Sequence, residues 1–134
     1  MNITLIGMAG AGKSYIGKRL AKRLGMDFID IDDCLEQTHG KGIQEILDEG
    51  GEEAYLEKEL QALVNGTNER DNLVISPGGS VIYKTECTKH IKKISKVVHL
   101  SPSFKTVEAR LKGMPPRAII GLRRKTLREL YDER

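Results

Sequence analysis

Gly7-Met-Ala-Gly-Ala-Gly-Lys-Ser14 matches G-x-x-x-x-G-K-[ST] at every fixed position, the spacing of a loop that cradles phosphates. The small residues Gly7, Gly10, Ala11 and Gly12 let successive backbone N–H groups turn inward and form an anion nest. A helix opening at the end of such a loop presents its positive dipole end to the same phosphates. Lys13 places an ammonium within reach of the β- and γ-phosphates, where charge grows during phosphoryl transfer, and the Ser14 hydroxyl can ligate Mg²⁺. Tyr15 follows directly and joins the nucleotide-side set by position, with a helix-surface or packing role as its plainer reading. These residues together describe a site for a nucleoside triphosphate with Mg²⁺.

Asp30, Asp32 and Asp33 form the second group that could do chemistry. On an extended segment residues 30 and 32 point to the same side. Two such carboxylates suit a division of labour, one near the metal and one taking a proton from an acceptor hydroxyl. Capping of a following helix by Asp32 or Asp33 would use the same residues. Spacing alone leaves both readings open.

The elements that must position these groups can be read from periodicity. Asn2–Ile6 is a short β-branched run closed by Gly7, a buried strand. From Lys13 to Leu24, Ile16, Leu20, Ala21 and Leu24 share one helical face, and Gly25 is the expected C-cap. Phe28–Ile31 reads as a second strand, with the acids at its carboxyl end. Residues 34–64 are helical in pattern, with breaks at Gly40–Gly42 and Gly50–Gly51. Leu73–Ile75 is a third strand closed by Pro77-Gly-Gly79, and Lys96–Leu100 a fourth, after a short helix around Thr88–Lys93. Ser101 or Ser103 could cap the helix holding Val107 and Leu111. Gly113-Met-Pro-Pro116 breaks the pattern before a last helix. Strands alternating with helices four times predict a parallel α/β sheet, helices on both faces, with ligands at the strands' carboxyl ends.

Composition narrows the partners. The 134 residues suffice for one domain; 39% are hydrophobic and 31% charged, an ordinary globular balance. Lys and Arg exceed Asp and Glu by 22 to 19, for a net charge of +3, too small an excess to argue for nucleic acid. Aromatics are 4%, few for stacking bases. From 109 to 128, however, Arg110, Lys112, Arg117, Arg123, Arg124, Lys125 and Arg128 occur without an acid. Cys34 and Cys87 have no metal-ligand spacing and read as reduced thiols, which, with no signal-like leader, predicts a cytoplasmic protein. His39, His90 and His99 likewise lack metal spacing. No apolar run approaches the roughly 20 residues that span a bilayer.

Taken in order, the phosphate loop, Phe28-Ile-Asp-Ile-Asp32, Gly51-Glu-x-x-Tyr55 with Glu59, Pro77-Gly-Gly79 and the Arg117 region resemble the shikimate kinases over essentially the whole chain. That resemblance implies a three-layer α/β/α P-loop kinase fold of strand order 2-3-1-4-5, the last strand missing here. It implies a core at 1–32 and 71–110, substrate-binding helices at 33–64 and a lid at about 111–124. The implied activity is ATP-dependent phosphorylation of the 3-hydroxyl of shikimate, a small-molecule substrate, by a monomer.

Carried over residue by residue, Lys13 resembles the phosphate lysine, Ser14 a Mg²⁺ ligand, and Asp30 the acid that supports Mg²⁺ through water. Asp32 resembles the base that holds the acceptor hydroxyls. Gly78 and Gly79 match the substrate-contacting Gly-rich loop. Arg117 matches the lid arginine at the transferring phosphate, Arg110 the arginine beside adenine, and Arg134 the arginine that binds the substrate carboxylate.

Three departures bear on function. The family's other carboxylate-binding Arg is Leu56 here. A guanidinium makes bidentate hydrogen bonds that an aliphatic chain cannot, so the loss is worth about 1.5–3 kcal/mol of substrate binding. Leu56 is also in helical register with Leu60 and Leu63, which fits a core role. Second, the family's triple glycine is Gly78-Gly79-Ser80 here, a milder change. Third, the family's sequence continues past the counterpart of Arg134 into a further strand and helix, which would leave a sheet edge open for pairing with another chain. A kinase of another small hydroxylated acceptor and a non-catalytic nucleotide-binding protein are the competing functions.

Overall fold

The computed structural model describes residues 1–8, 11–112 and 127–133. Strand β1 (Ile3–Ile6) runs into the phosphate loop, and α1 (Lys13–Leu24) follows, closed at the expected Gly25. Next come β2 (Asp27–Asp30), α2 (Ile31–His39), α3 (Ile43–Thr67) and β3 (Leu73–Ser76). A 3₁₀ segment (Gly79–Tyr83) leads to α4 (Thr85–Ile94), β4 (Lys96–His99), α5 (Phe104–Lys112) and α6 (Leu127–Glu133). Ser103 Oγ accepts from the Thr106 N–H at 3.2 Å, so of the two candidate serines it is Ser103 that caps α5.

The strands pair in the order β2-β3-β1-β4, all parallel. Ile3 stands opposite Val74 and Lys96, and Asp27 opposite Leu73. This register sets the carboxyl ends of β1, β2 and β3 side by side, where the loops after them meet. Every residue of central β3 is buried, and its period of two divides the core. Val74 packs with Leu5 and Ala21 under α1, while Leu73 and Ile75 pack with Ile31, Leu63, Val81, Cys87 and Ile91 on the opposite face. Each such aliphatic side chain contributes about 1.5–3 kcal/mol when fully buried.

Two details differ from the sequence reading. Ile16 and Leu24, expected on the inner face of α1, are 40% and 51% exposed. The inner face is centred on Gly17 and Ala21. A Cβ on Gly17 would lie 2.6 Å from Phe28 Cε1, so α1 approaches β2 through a missing side chain, which hydrophobic periodicity does not register. The second strand also ends one residue early, because Ile31 already belongs to α2.

The breaks expected in the long helical stretch are present. Gly40 ends α2, and Gly51 interrupts α3 with φ 80 and ψ 175. Leu35, Ile46 and Tyr55 form a separate cluster between α2 and α3, against which Leu56 packs. The expected lid, about residues 111–124, falls almost wholly outside the described residues. Among those described, no helix is long and apolar enough to cross a membrane.

Candidate active site

The phosphate loop is shaped by its two ends. At Gly7 (φ 153) a Cβ would lie 2.7 Å from the Leu100 carbonyl oxygen, so β1 leaves the sheet through a passage that only glycine fits. At the other end Gly12 is the N-cap of α1 with φ 94, a conformation that favours glycine. Among the described residues no side chain caps α1, and its first turn holds no acid. An anion therefore meets the positive end of this helix without competition from a carboxylate cap.

Lys13 Nζ folds over the loop and donates to the carbonyls of Gly7 (2.5 Å) and Met8 (3.2 Å). The Arg110 guanidinium, from α5, reaches the same place: its Nη1 would be 3.3 Å from a Cβ on Gly12. Two cations thus converge on one loop. Tyr15 does not join them. It is 66% exposed, its hydroxyl accepts from Arg19 Nη1 at 2.6 Å, and the Arg19 guanidinium lies 5.0 Å from its ring centre. Gly10 lies outside the described residues.

Ser14 Oγ donates to Asp30 Oδ2 at 2.7 Å, tying the start of α1 to the end of β2. The other oxygen, Asp30 Oδ1, accepts from the N–H groups of Asp32 (2.9 Å) and Asp33 (3.4 Å). Asp30 is therefore the cap of α2, a role the sequence had suggested for Asp32 or Asp33. The early end of β2 is the cause, since it moves the helix start back by one turn position. A hydroxyl and a carboxylate in contact form the hard oxygen donor set that suits Mg²⁺. Among the described residues no three His, Cys, Asp or Glu side chains gather into a metal cluster.

Asp32, in the first turn of α2, faces the loop after β3. A Cβ on Gly78 would lie 3.2 Å from Asp32 Oδ1 and would overlap Glu59 Oε2 from α3. Gly78 has an ordinary extended backbone, so space, not conformation, requires a glycine here. Glu59 is fully buried and receives the Ser80 hydroxyl. Its burial was not read from the sequence, although the signal was there: an acid four residues from Tyr55 and from Leu63, both core residues of the same helix. Nearby Cys87 has its thiol pushed up to about 12, by burial first and the charge of Glu59 second. Gly79 opens the 3₁₀ segment beside Gly78. Arg117 and Arg134 lie outside the described residues.

The parallel sheet, the phosphate loop after β1 and the carboxylates after β2 define a P-loop kinase. A family model described as shikimate kinase matches residues 9–134. A shikimate kinase of Persephonella marina is 36% identical over 133 residues, 99% of this chain and 80% of that protein. One of Francisella tularensis subsp. novicida is 36% identical over 135 residues, 99% of this chain and 77% of that protein. Among solved structures, the shikimate kinase of Acinetobacter baumannii in complex with shikimate superposes with TM-score 0.80 at 31% identity, over 98% of this chain and 78% of that one. A deoxyadenosine kinase of M. mycoides, at 20% identity and TM-score 0.56, shares the fold alone. The chain belongs to the shikimate kinase family.

Proposed function

We propose that the chain transfers the γ-phosphate of ATP to the 3-hydroxyl of shikimate, with Mg²⁺ as the metal. The observation that carries this reading is the meeting of the phosphate loop, through the Ser14–Asp30 hydrogen bond, with Asp32 and Gly78 at the carboxyl end of one sheet. Nucleotide binding replaces the two carbonyls on Lys13 Nζ with phosphate oxygens, and Arg110 lies beside the adenine. Ser14 and Asp30, in contact through their hydrogen bond, would hold Mg²⁺, which would supply positive charge beside the phosphates. Asp32 takes the proton as the acceptor oxygen bonds to phosphorus and the bond to the leaving ADP oxygen breaks. The Gly78 and Gly79 backbone contacts the acceptor, Arg117 the transferring phosphate, and Arg134 the carboxylate.

The same reading takes residues 33–64 as the acceptor-binding helices and about 111–124 as a lid, in a cytoplasmic monomer.

A coupled assay of ADP release tests it. Release should require shikimate, and Asp32→Asn should lower kcat by about 10²–10⁴, the usual worth of a positioned base. ADP release indifferent to shikimate would sink the reading. One observation favours a second acceptor: Leu56 is committed to the Leu35–Ile46–Tyr55 cluster and offers a carboxylate nothing. A calorimetric titration of shikimate with Mg²⁺ and ADP decides between them. Binding that appears only in Leu56→Arg would assign the native site to a different small hydroxylated molecule.

A further inference from the structure

The acceptor side contains a buried hydroxyl–carboxylate pair to which the reaction above gives no part. Glu59 is 0% exposed and Ser80 6%. Ser80 Oγ lies 3.1 Å from Glu59 Oε1 and 3.2 Å from Oε2, donating between the two. A hydroxyl shared almost equally by both oxygens fixes the rotation of the carboxylate as well as its position. A buried carboxylate is costly without such donors, so this hydrogen bond is worth more than a surface one.

The Glu59 carboxylate in turn abuts Gly78. The space a Cβ would fill there is already occupied by Glu59 Oε2 on one side, with Asp32 Oδ1 3.2 Å away on the other. The same short loop is closed on itself by the Val81 N–H, which donates to the Gly78 carbonyl at 3.2 Å. Ser80, Glu59, Gly78 and Asp32 thus form an unbroken line of contacts from α3 through the loop to α2. Glu59 swinging out of place would free Gly78 to move toward α3, and the backbone that faces Asp32 would go with it.

We propose that Ser80 is a positioning residue: its hydroxyl locks Glu59, and the locked carboxylate holds the Gly78–Gly79 backbone at a fixed separation from Asp32. The inference rests on the reading of Asp32 as the acceptor-side base. It assigns Ser80 no contact with substrate. Its effect falls on the acceptor half of the reaction, because the Ser80 hydroxyl acts on Glu59, and Glu59 abuts the Gly78 position that Asp32 also approaches.

The test compares the unchanged chain with Ser80→Ala and Ser80→Thr. In Ser80→Ala, kcat/KM for shikimate should fall about tenfold, the usual effect of losing a hydrogen bond to a charged group. KM for ATP should stay where it is, and Ser80→Thr, which keeps the hydroxyl, should recover most of the loss. Unchanged acceptor constants in Ser80→Ala would overturn the proposal. So would equal losses for ATP and acceptor that track a fall in Tm. Should the unchanged chain leave shikimate untouched, the acceptor reading fails by itself, and amide NMR decides the lock independently. Ser80→Ala must then shift the Asp32, Gly78 and Gly79 amides while leaving Gly12 and Lys13 in place; unmoved Asp32 and Gly78 signals would overturn it.

Discussion

At Gly78, two carboxylates from different helices approach one α-carbon that carries only hydrogen. Replacing that hydrogen with a methyl forces Glu59, Asp32 or the loop itself to yield. We expect Gly78→Ala to lower shikimate turnover about a hundredfold, since displacement of a reacting group by about 1 Å has that effect. Affinity for ADP with Mg²⁺ should be unaffected, because the phosphate loop stands on a different strand. Steady-state kinetics paired with calorimetry separates the two. At this scale the sequence was legible where a motif fixes a residue's place. Lys13 and Ser14 sit where the motif predicts, beside Gly7 and Asp30. It was less legible where a residue serves through another: Asp30 carries both the Ser14 contact and the α2 cap, and spacing gave the cap to its neighbours.

Among the elements, α3 and α4 are joined by a titratable contact. Thr67 Oγ1 gives its proton to the Leu63 carbonyl (2.7 Å), so at 2.9 Å it accepts from the His90 Nε2–H. Burial, with Lys93 second, lowers the His90 pKa below its usual 6.5. The folded chain therefore binds this proton less readily than the unfolded chain. Stability from this group is complete above pH 6.5, is lost as pH falls through that value, and levels off below the depressed folded pKa. Urea unfolding from pH 8 to pH 5 should show this fall, and His90→Gln should flatten it. Element boundaries were readable from caps and breakers, as Gly25, Gly40 and Gly51 show. Facing was less so: α1 turns its smallest residue, Gly17, toward Phe28, whereas apolar periodicity points to Ile16 and Leu24. Close approach is bought with absent side chains, to which a hydrophobic pattern is blind.

For the whole molecule, the order β2-β3-β1-β4 leaves β3 and β1 interior and gathers the loops after β1, β2 and β3 at one end. Its two thiols report on how the whole opens. Cys34 is half-buried and its thiol is raised by burial and then by Asp30 and Asp33. Cys87 is fully buried, with a thiol near 12. Iodoacetamide at pH 8, followed by mass spectrometry, should modify Cys34 first. Cys87 should react only through global opening, slowed on the order of a thousandfold or more relative to the unfolded chain. Similar rates at both would place α4 outside the cooperative core. The interruption of α3 at Gly51 has a further consequence, for how such a sequence can change over generations. A residue inserted into a continuous helix rotates everything beyond it by about 100°, which would carry Glu59 out of reach of Ser80. The break at Gly51 resets that phase. The stretch from Ile43 to Gly50 can gain or lose a residue and re-dock against Leu35 by itself, while Tyr55, Glu59 and Leu63 keep their bearing. Length variation between Ile43 and Gly50 is thereby insulated from the reacting end of the molecule.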